Sequence, residues 1–209
     1  MIRVEFFHDV LCAWCYALSS RVRRLVEEHP DVVVEHRCFA LAPTPDAIVA
    51  IFGSKEAGKA EILEHWRAAN RNDDQHRIRA DLMATRPFDY PWSMPGLKAC
   101  KAAEVQGGHP AHGDMFDRVQ RAHLTECRNI ADFDVLRDCA KDVGLDVSRW
   151  ERDYHSPEVQ ELVERDLARA RIYGITGVPT LVAEGRHTLV GAQPYHRLVR
   201  WLEEVRARA

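Results

Sequence analysis

The stretch "HDVLCAWCYALSS", His8–Ser20, decides how the rest of the chain is read. Two cysteines, Cys12 and Cys15, stand in it as Cys-x-x-Cys. Upstream, "IRVEFF" (Ile2–Phe7) alternates and is rich in β-formers, which predicts a strand. Downstream, Trp14, Leu18, Val22, Leu25 and Val26 recur at helical spacing, from Ala13 to just before Pro30. "DVVVEHRCFAL" (Asp31–Leu41) is β-branched and strand-like again. The pair therefore falls where the first strand of a β-α-β unit turns into its helix.

Three uses of such a pair compete. A zinc knuckle needs a second ligand pair at similar spacing. His123 with Cys127, and His109 with His112, do not repeat the pattern. Two incidental core cysteines beside a tryptophan are the plain alternative. A redox dithiol fits best, because Cys-x-x-Cys next to a β-α-β pattern is a recognised combination. Unpaired N–H groups and the helix dipole favour negative charge at a helix start. Cys12 is thus expected to carry a thiolate more readily than a free thiol does, with Cys15 near enough to close a disulfide.

Composition narrows the setting. The chain has 209 residues, 46% hydrophobic and 29% charged, as in a globular protein. A formal charge of −3 gives no electrostatic reason to expect nucleic acid or an anionic membrane as partner. No apolar run has the length of a membrane span. "MIRVEFFHDV" lacks the pattern of a secretion signal, so a full precursor of this sequence is expected in the cytoplasm. Six cysteines are more than the pair requires, and Cys38, Cys100, Cys127 and Cys139 are scattered as packed apolar residues would be.

The middle of the chain changes character. Between about Pro43 and Arg171 the pattern is helical, over roughly Glu56–Asn70, Pro95–Gln106, Ala111–Leu124, Asp132–Val143, Ser148–Tyr154 and Pro157–Tyr173. "RPFDYPWSMPG" (Arg86–Gly96) reads as a loop, and Trp92 in it as a candidate wall of a substrate groove. At the end, "GITGVPTLVAEGRHTLVGAQPYHRLVRWLEEV" predicts a hairpin (Thr180–Ala183, turn at Glu184–Gly185, Thr188–Val190). A helix follows with Tyr195, Leu198, Val199, Leu202 and Val205 on one face.

With "CAWC" at a strand–helix junction, a helical insert, and "GITGVPT" before a hairpin, the chain resembles the DsbA-like branch of the thioredoxin superfamily. The likeness is nearest to the FrnE-type disulfide oxidoreductases and their relatives, the 2-hydroxychromene-2-carboxylate isomerases. "DVLCAWCY", "FALAP" (Phe39–Pro43), "IADFDVLRDCAKDVGLD" and "VGAQPYHRLVRWLE" carry it over most of the chain. The resemblance implies an α/β thioredoxin fold, its central mixed sheet flanked by helices, with a large all-helical insertion. The thioredoxin-like domain would be residues 1–43 and 173–209, and the insertion residues 44–172. It implies Cys12 as nucleophile, Cys15 as resolving thiol, and a cis Pro179 that holds Val178 against the dithiol for an incoming peptide. Trp14 and Ala13 would tune the thiolate, and Ala13 stands where the family commonly has proline.

The expected activity is thiol–disulfide exchange on protein or small-molecule thiols through mixed disulfides, with no metal and no bound cofactor. Glutathione is the candidate redox co-substrate. One alternative is a glutathione-dependent isomerase or transferase, although those relatives usually carry serine where Cys12 stands. The other is a noncatalytic peptide-binding or chaperone module.

Further signals point less far. "GSKEAGKA" (Gly53–Ala60) nearly spells a phosphate loop, but Ala60 lacks the hydroxyl for magnesium. His8 is a candidate proton relay, against an ordinary strand-end histidine. One of Glu35, His36 and Arg37 is a candidate proton carrier for Cys15, and Cys127 a candidate second relay.

Overall fold

The computed structural model describes residues 1–208. Four strands make one sheet: β1 (Ile2–His8), β2 (Val32–Cys38), β3 (Thr180–Ala183) and β4 (His187–Val190), in the order β2-β1-β3-β4. β1 and β2 are parallel, in register from Ile2 opposite Val32 to His8 opposite Cys38. β3 runs antiparallel to β1, and β4 closes the hairpin. A parallel pair needs a crossover, and α1 (Ala13–Glu28) supplies it, with His29 and Pro30 ending it. The C-terminal helix α9 (Tyr195–Arg206) buries Leu198, Trp201, Leu202 and Val205. This is the mixed sheet and helical content of a thioredoxin fold.

Between β2 and β3 the described residues hold only helix and loop: α2 (Ala47–Phe52), α3 (Lys55–Asn72), α4 (Ala80–Ala84), α5 (Ser93–Gln120), α6 (Phe133–Asp142), α7 (Val147–Tyr154) and α8 (Pro157–Ile172). α2 and α4 go beyond the helices expected from periodicity, being too short to show one. α5 joins two expected helices, and Gly107 and Gly108 depart from helical geometry at its kink. Gly108 has φ +67°, which a Cβ disfavours. A π-turn over Arg121–Thr125 follows α5. The phosphate-loop lookalike is helix: Ser54 caps α3 through the Ala57 N–H, and Lys55–Ala60 lie within its first turns.

The two faces of β1 are covered differently. Val4 and Phe6 join the main core with Leu18, Leu25 and Leu198, and Phe6 meets Phe116 of α5 edge-on. On the other face Phe7 packs with Val182 and Ala170 of α8. That face also buries Glu5, which accepts from Arg37, Arg169 and Tyr173. α8 thus packs on the sheet itself, and its Asp166 takes the Cys38 N–H and the Lys101 ammonium at 2.9 and 2.6 Å. Arg21, buried on α1, ties three distant segments together. It bonds Asp74 and Asn72 at the end of α3 and the carbonyls of Ala192 and Gln193 before α9. Among the described residues no helix is long and apolar enough to cross a membrane.

Candidate active site

The strand-to-helix junction is a tight turn built by Asp9. Its buried carboxylate accepts from the Leu11 N–H at 3.1 Å, the Leu41 N–H at 2.7 Å and the Ser93 hydroxyl at 2.7 Å. An aspartate that bonds the backbone two residues on is a local turn-former. Gln120, at the end of α5, donates to the carbonyls of Cys12 and Asp9 at 2.9 and 3.2 Å. The last turn of the long helix is thereby tied to two carbonyls that also accept backbone N–H groups of the turn and of α1.

Cys12 sits at the N-cap of α1 in extended conformation, and its sulfur accepts the Cys15 N–H at 3.3 Å. That is the position at which a helix offers its unpaired donors. The Cys12 thiol also donates to the Val178 carbonyl at 3.5 Å. Cys12 is 5% exposed and Cys15 is fully buried. Burial pushes the Cys15 thiol well above its usual range, and the Cys12 sulfur and the Asp9 charge push the same way. Asp9 itself is raised to about 6 by burial, with its three hydrogen bonds opposing the shift.

Beside Cys12 opens a cavity of about 370 Å³. Trp14 and Val178 line it from the thioredoxin side, and Ile48, Ile51, Phe52, Trp66 and Tyr90 from the helical side. Its floor is polar: the Tyr90 hydroxyl meets Trp66 Nε1 and His123 Nε2, each at 3.1 Å. Burial lowers His123 to about 3, so its ring is neutral. The Val178–Pro179 peptide bond is cis.

Of the residues singled out in the sequence, Cys12, Cys15, Trp14, Val178 and Pro179 come together here. Trp92 does not: it lines a separate depression with Pro43, Met94 and Tyr154. His8 turns from the cysteines toward His36, 3.1 Å away. Glu35 and Arg37 pair with each other and, through Arg37, with Glu5. The carboxyl whose charge acts on the Cys15 thiol is Asp9, whose place three residues before Cys12 was the available signal. Cys127 gives its thiol to the Arg79 carbonyl at 3.4 Å, and burial holds it protonated.

The fold has counterparts among known proteins. The model of the DSBA-like thioredoxin domain matches residues 3–203. The chain belongs to the DsbA-like thioredoxin family. Among curated relatives of this DsbA-like chain is the ClpXP adapter protein SpxH of Halalkalibacterium halodurans, 29% identical over 98% of this chain and 67% of its own. A solved structure from Nitrosomonas europaea, described as a candidate protein disulfide isomerase, superposes with TM-score 0.81 at 19% identity, covering 99% of this chain and 98% of that one. The cytosolic disulfide reductase DsbM of Pseudomonas aeruginosa, solved with GSH, gives TM-score 0.72 at 22% identity over 99% and 100% of the two chains. At these identities the two structures bear on the fold of the DsbA-like chain alone.

Proposed function

We propose that this chain is a thiol–disulfide oxidoreductase that cycles Cys12 and Cys15 between dithiol and disulfide. The observation that carries the reading is the Cys12 sulfur itself. It sits at a helix start, takes the Cys15 N–H, touches the Val178 carbonyl, and borders an apolar cavity.

In the reducing direction the Cys12 thiolate attacks a substrate disulfide. A Cys12–substrate sulfur bond forms, and the first substrate sulfur leaves as thiolate and takes a proton from water. Cys15 then attacks the Cys12 sulfur, and its proton passes to the second substrate sulfur, which leaves as a thiol. Two electrons have then passed from the protein dithiol to the substrate. The oxidising direction is the reverse. Burial and the raised Cys15 thiol support this division of labour, since the sheltered sulfur reacts only once a mixed disulfide lies beside it. Glutathione suits the regenerating step: two molecules reduce the Cys12–Cys15 disulfide and leave as their own disulfide. The apolar cavity suits a hydrophobic side chain or ring beside the substrate sulfur.

Insulin reduction and glutathione equilibration of the wild type, Cys12→Ser and Cys15→Ser test the reading. Cys12→Ser should be inactive, and Cys15→Ser should accumulate mixed disulfides. Equal turnover in all three would exclude it. A second reading, a protein-binding adapter, is favoured by the likeness to SpxH over 98% of this chain. Under it, Cys12→Ser binds a partner as well as the wild type does.

A further inference from the structure

On the face of β1 and β2 beneath α5, three histidines meet away from the dithiol. They come from three elements: His8 ends β1, His36 lies on β2, and His112 is on the second half of α5. His8 and His112 are fully buried and His36 is 8% exposed. One ring nitrogen from each lies within 4.8 Å of the other two. The ring centroids are 5.2 Å apart for His8 and His36, 5.2 Å for His8 and His112, and 5.3 Å for His36 and His112. We propose that these three imidazoles form a binding site for a divalent first-row transition ion, with Zn²⁺ as the reference cation.

An orphaned atom is the first support. His112 Nδ1 faces the Glu104 carboxylate at 2.6 Å and so carries the proton, leaving a lone pair on Nε2. That Nε2 is buried without a partner, while His8 Nε2 and His36 Nδ1 face each other at 3.1 Å. Buried polar atoms without a partner are uncommon and costly in a folded chain. A carboxylate behind the far nitrogen of a histidine is also the usual outer support of a metal ligand, fixing ring and tautomer.

The geometry is the second. An ion at ~2.0–2.1 Å from three imidazole nitrogens at tetrahedral angles sets the ring centres about 5 Å apart. The nitrogens would close to about 3.4 Å from one another, a movement that side-chain torsions provide. α5 comes this close because position 113 is glycine: a Cβ there would lie 2.6 Å from His36 Nε2.

Nearby cations are already paired. Lys101 lies against Asp166 and Glu104 at 2.6 and 2.7 Å, and Arg23 against Asp114 and Asp117 at 2.9 and 2.8 Å. A cavity of about 460 Å³ reaches the cluster at His36, with His109 and Pro110 also on its wall. An all-imidazole set selects Zn²⁺, Co²⁺, Ni²⁺ or Cu²⁺ over Mg²⁺ and Ca²⁺, which prefer oxygen. The bound ion would pin α5 to the sheet.

The test uses the full chain carrying Cys12→Ser and Cys15→Ser, so that the dithiol contributes nothing. It is stripped by chelator and titrated with Zn²⁺ against a chromophoric competitor. The expected result is one equivalent bound, with affinity falling about 10–100-fold in Glu104→Gln and at least as far in His112→Asn. X-ray absorption of the zinc-loaded protein should show imidazole scattering and no sulfur at ~2.3 Å, and it keeps the test decisive if a histidine variant fails to fold. Substoichiometric binding, a sulfur shell, or unchanged affinity in a folded His112→Asn would overturn the proposal.

Discussion

The Cys12 thiol donates to the backbone carbonyl of Val178 at 3.5 Å, joining residues 166 positions apart. This contact screens one side of the sulfur and leaves the other toward the cavity, so Cys12 is reachable while Cys15 is not. Limiting iodoacetamide on the native, reduced protein should label Cys12 alone, the other cysteines being 1% exposed or less. Peptide mapping by mass spectrometry reads the outcome. Comparable labelling of Cys15 would contradict the assigned roles.

Asp9 should leave a mark on stability. Its folded carboxyl titrates near 6, raised by burial from an ordinary 3.8. A carboxyl raised on folding stabilises the protein below its unfolded pKa, and that contribution is lost as pH rises through about 6. Between pH 4 and 7 the wild type should therefore lose up to about 3 kcal/mol relative to Asp9→Asn. Urea melts across that range measure it, and parallel curves for the two proteins would count against the assignment.

The cavity wall should set substrate preference. Ile51 is 59% exposed yet lines the cavity, so changing it leaves the core intact. Ile51→Glu should raise KM for an apolar disulfide about tenfold, the loss of roughly 1.4 kcal/mol of apolar contact. Turnover of glutathione disulfide should barely change. A uniform effect on both substrates would separate the cavity from recognition.

Tyr90→Phe should be destabilising although it removes a single oxygen. It leaves the buried Trp66 Nε1 and His123 Nε2 without the partner each has at 3.1 Å. A group orphaned in this way costs about 1–3 kcal/mol. For a chain of this size that is roughly 3–10 °C in Tm, measurable by calorimetry. An unchanged Tm would mean that water replaces the hydroxyl.

What was legible in the sequence was local or strongly patterned. The apolar spacing from Trp14 to Leu25 and the turn at Glu184–Gly185 each specify their own geometry, and the Cys pair with "GVPT" marks the two ends of one site. The remainder depends on contacts between distant segments. Asp9 looks like any turn-former before a helix, and only folding shows its carboxylate holding Leu41 and Ser93. Gln120 looks like a solvated helix residue until α5 ends against the turn at Cys12. Trp92 sits in an aromatic loop that suggests a groove, yet it faces a different depression, because Ser93 already begins α5. The short α2 has no period to detect, although it supplies part of the cavity wall.

The Cys12–Val178 contact also has a bearing on synthesis. The ribosome makes Cys12 early and Val178 166 residues later, roughly 8–33 s apart at about 5–20 residues per second. Throughout that interval the nascent chain carries the dithiol without its screening carbonyl, open to any passing oxidant. A reducing milieu during translation would keep the two sulfurs as thiols until that carbonyl arrives.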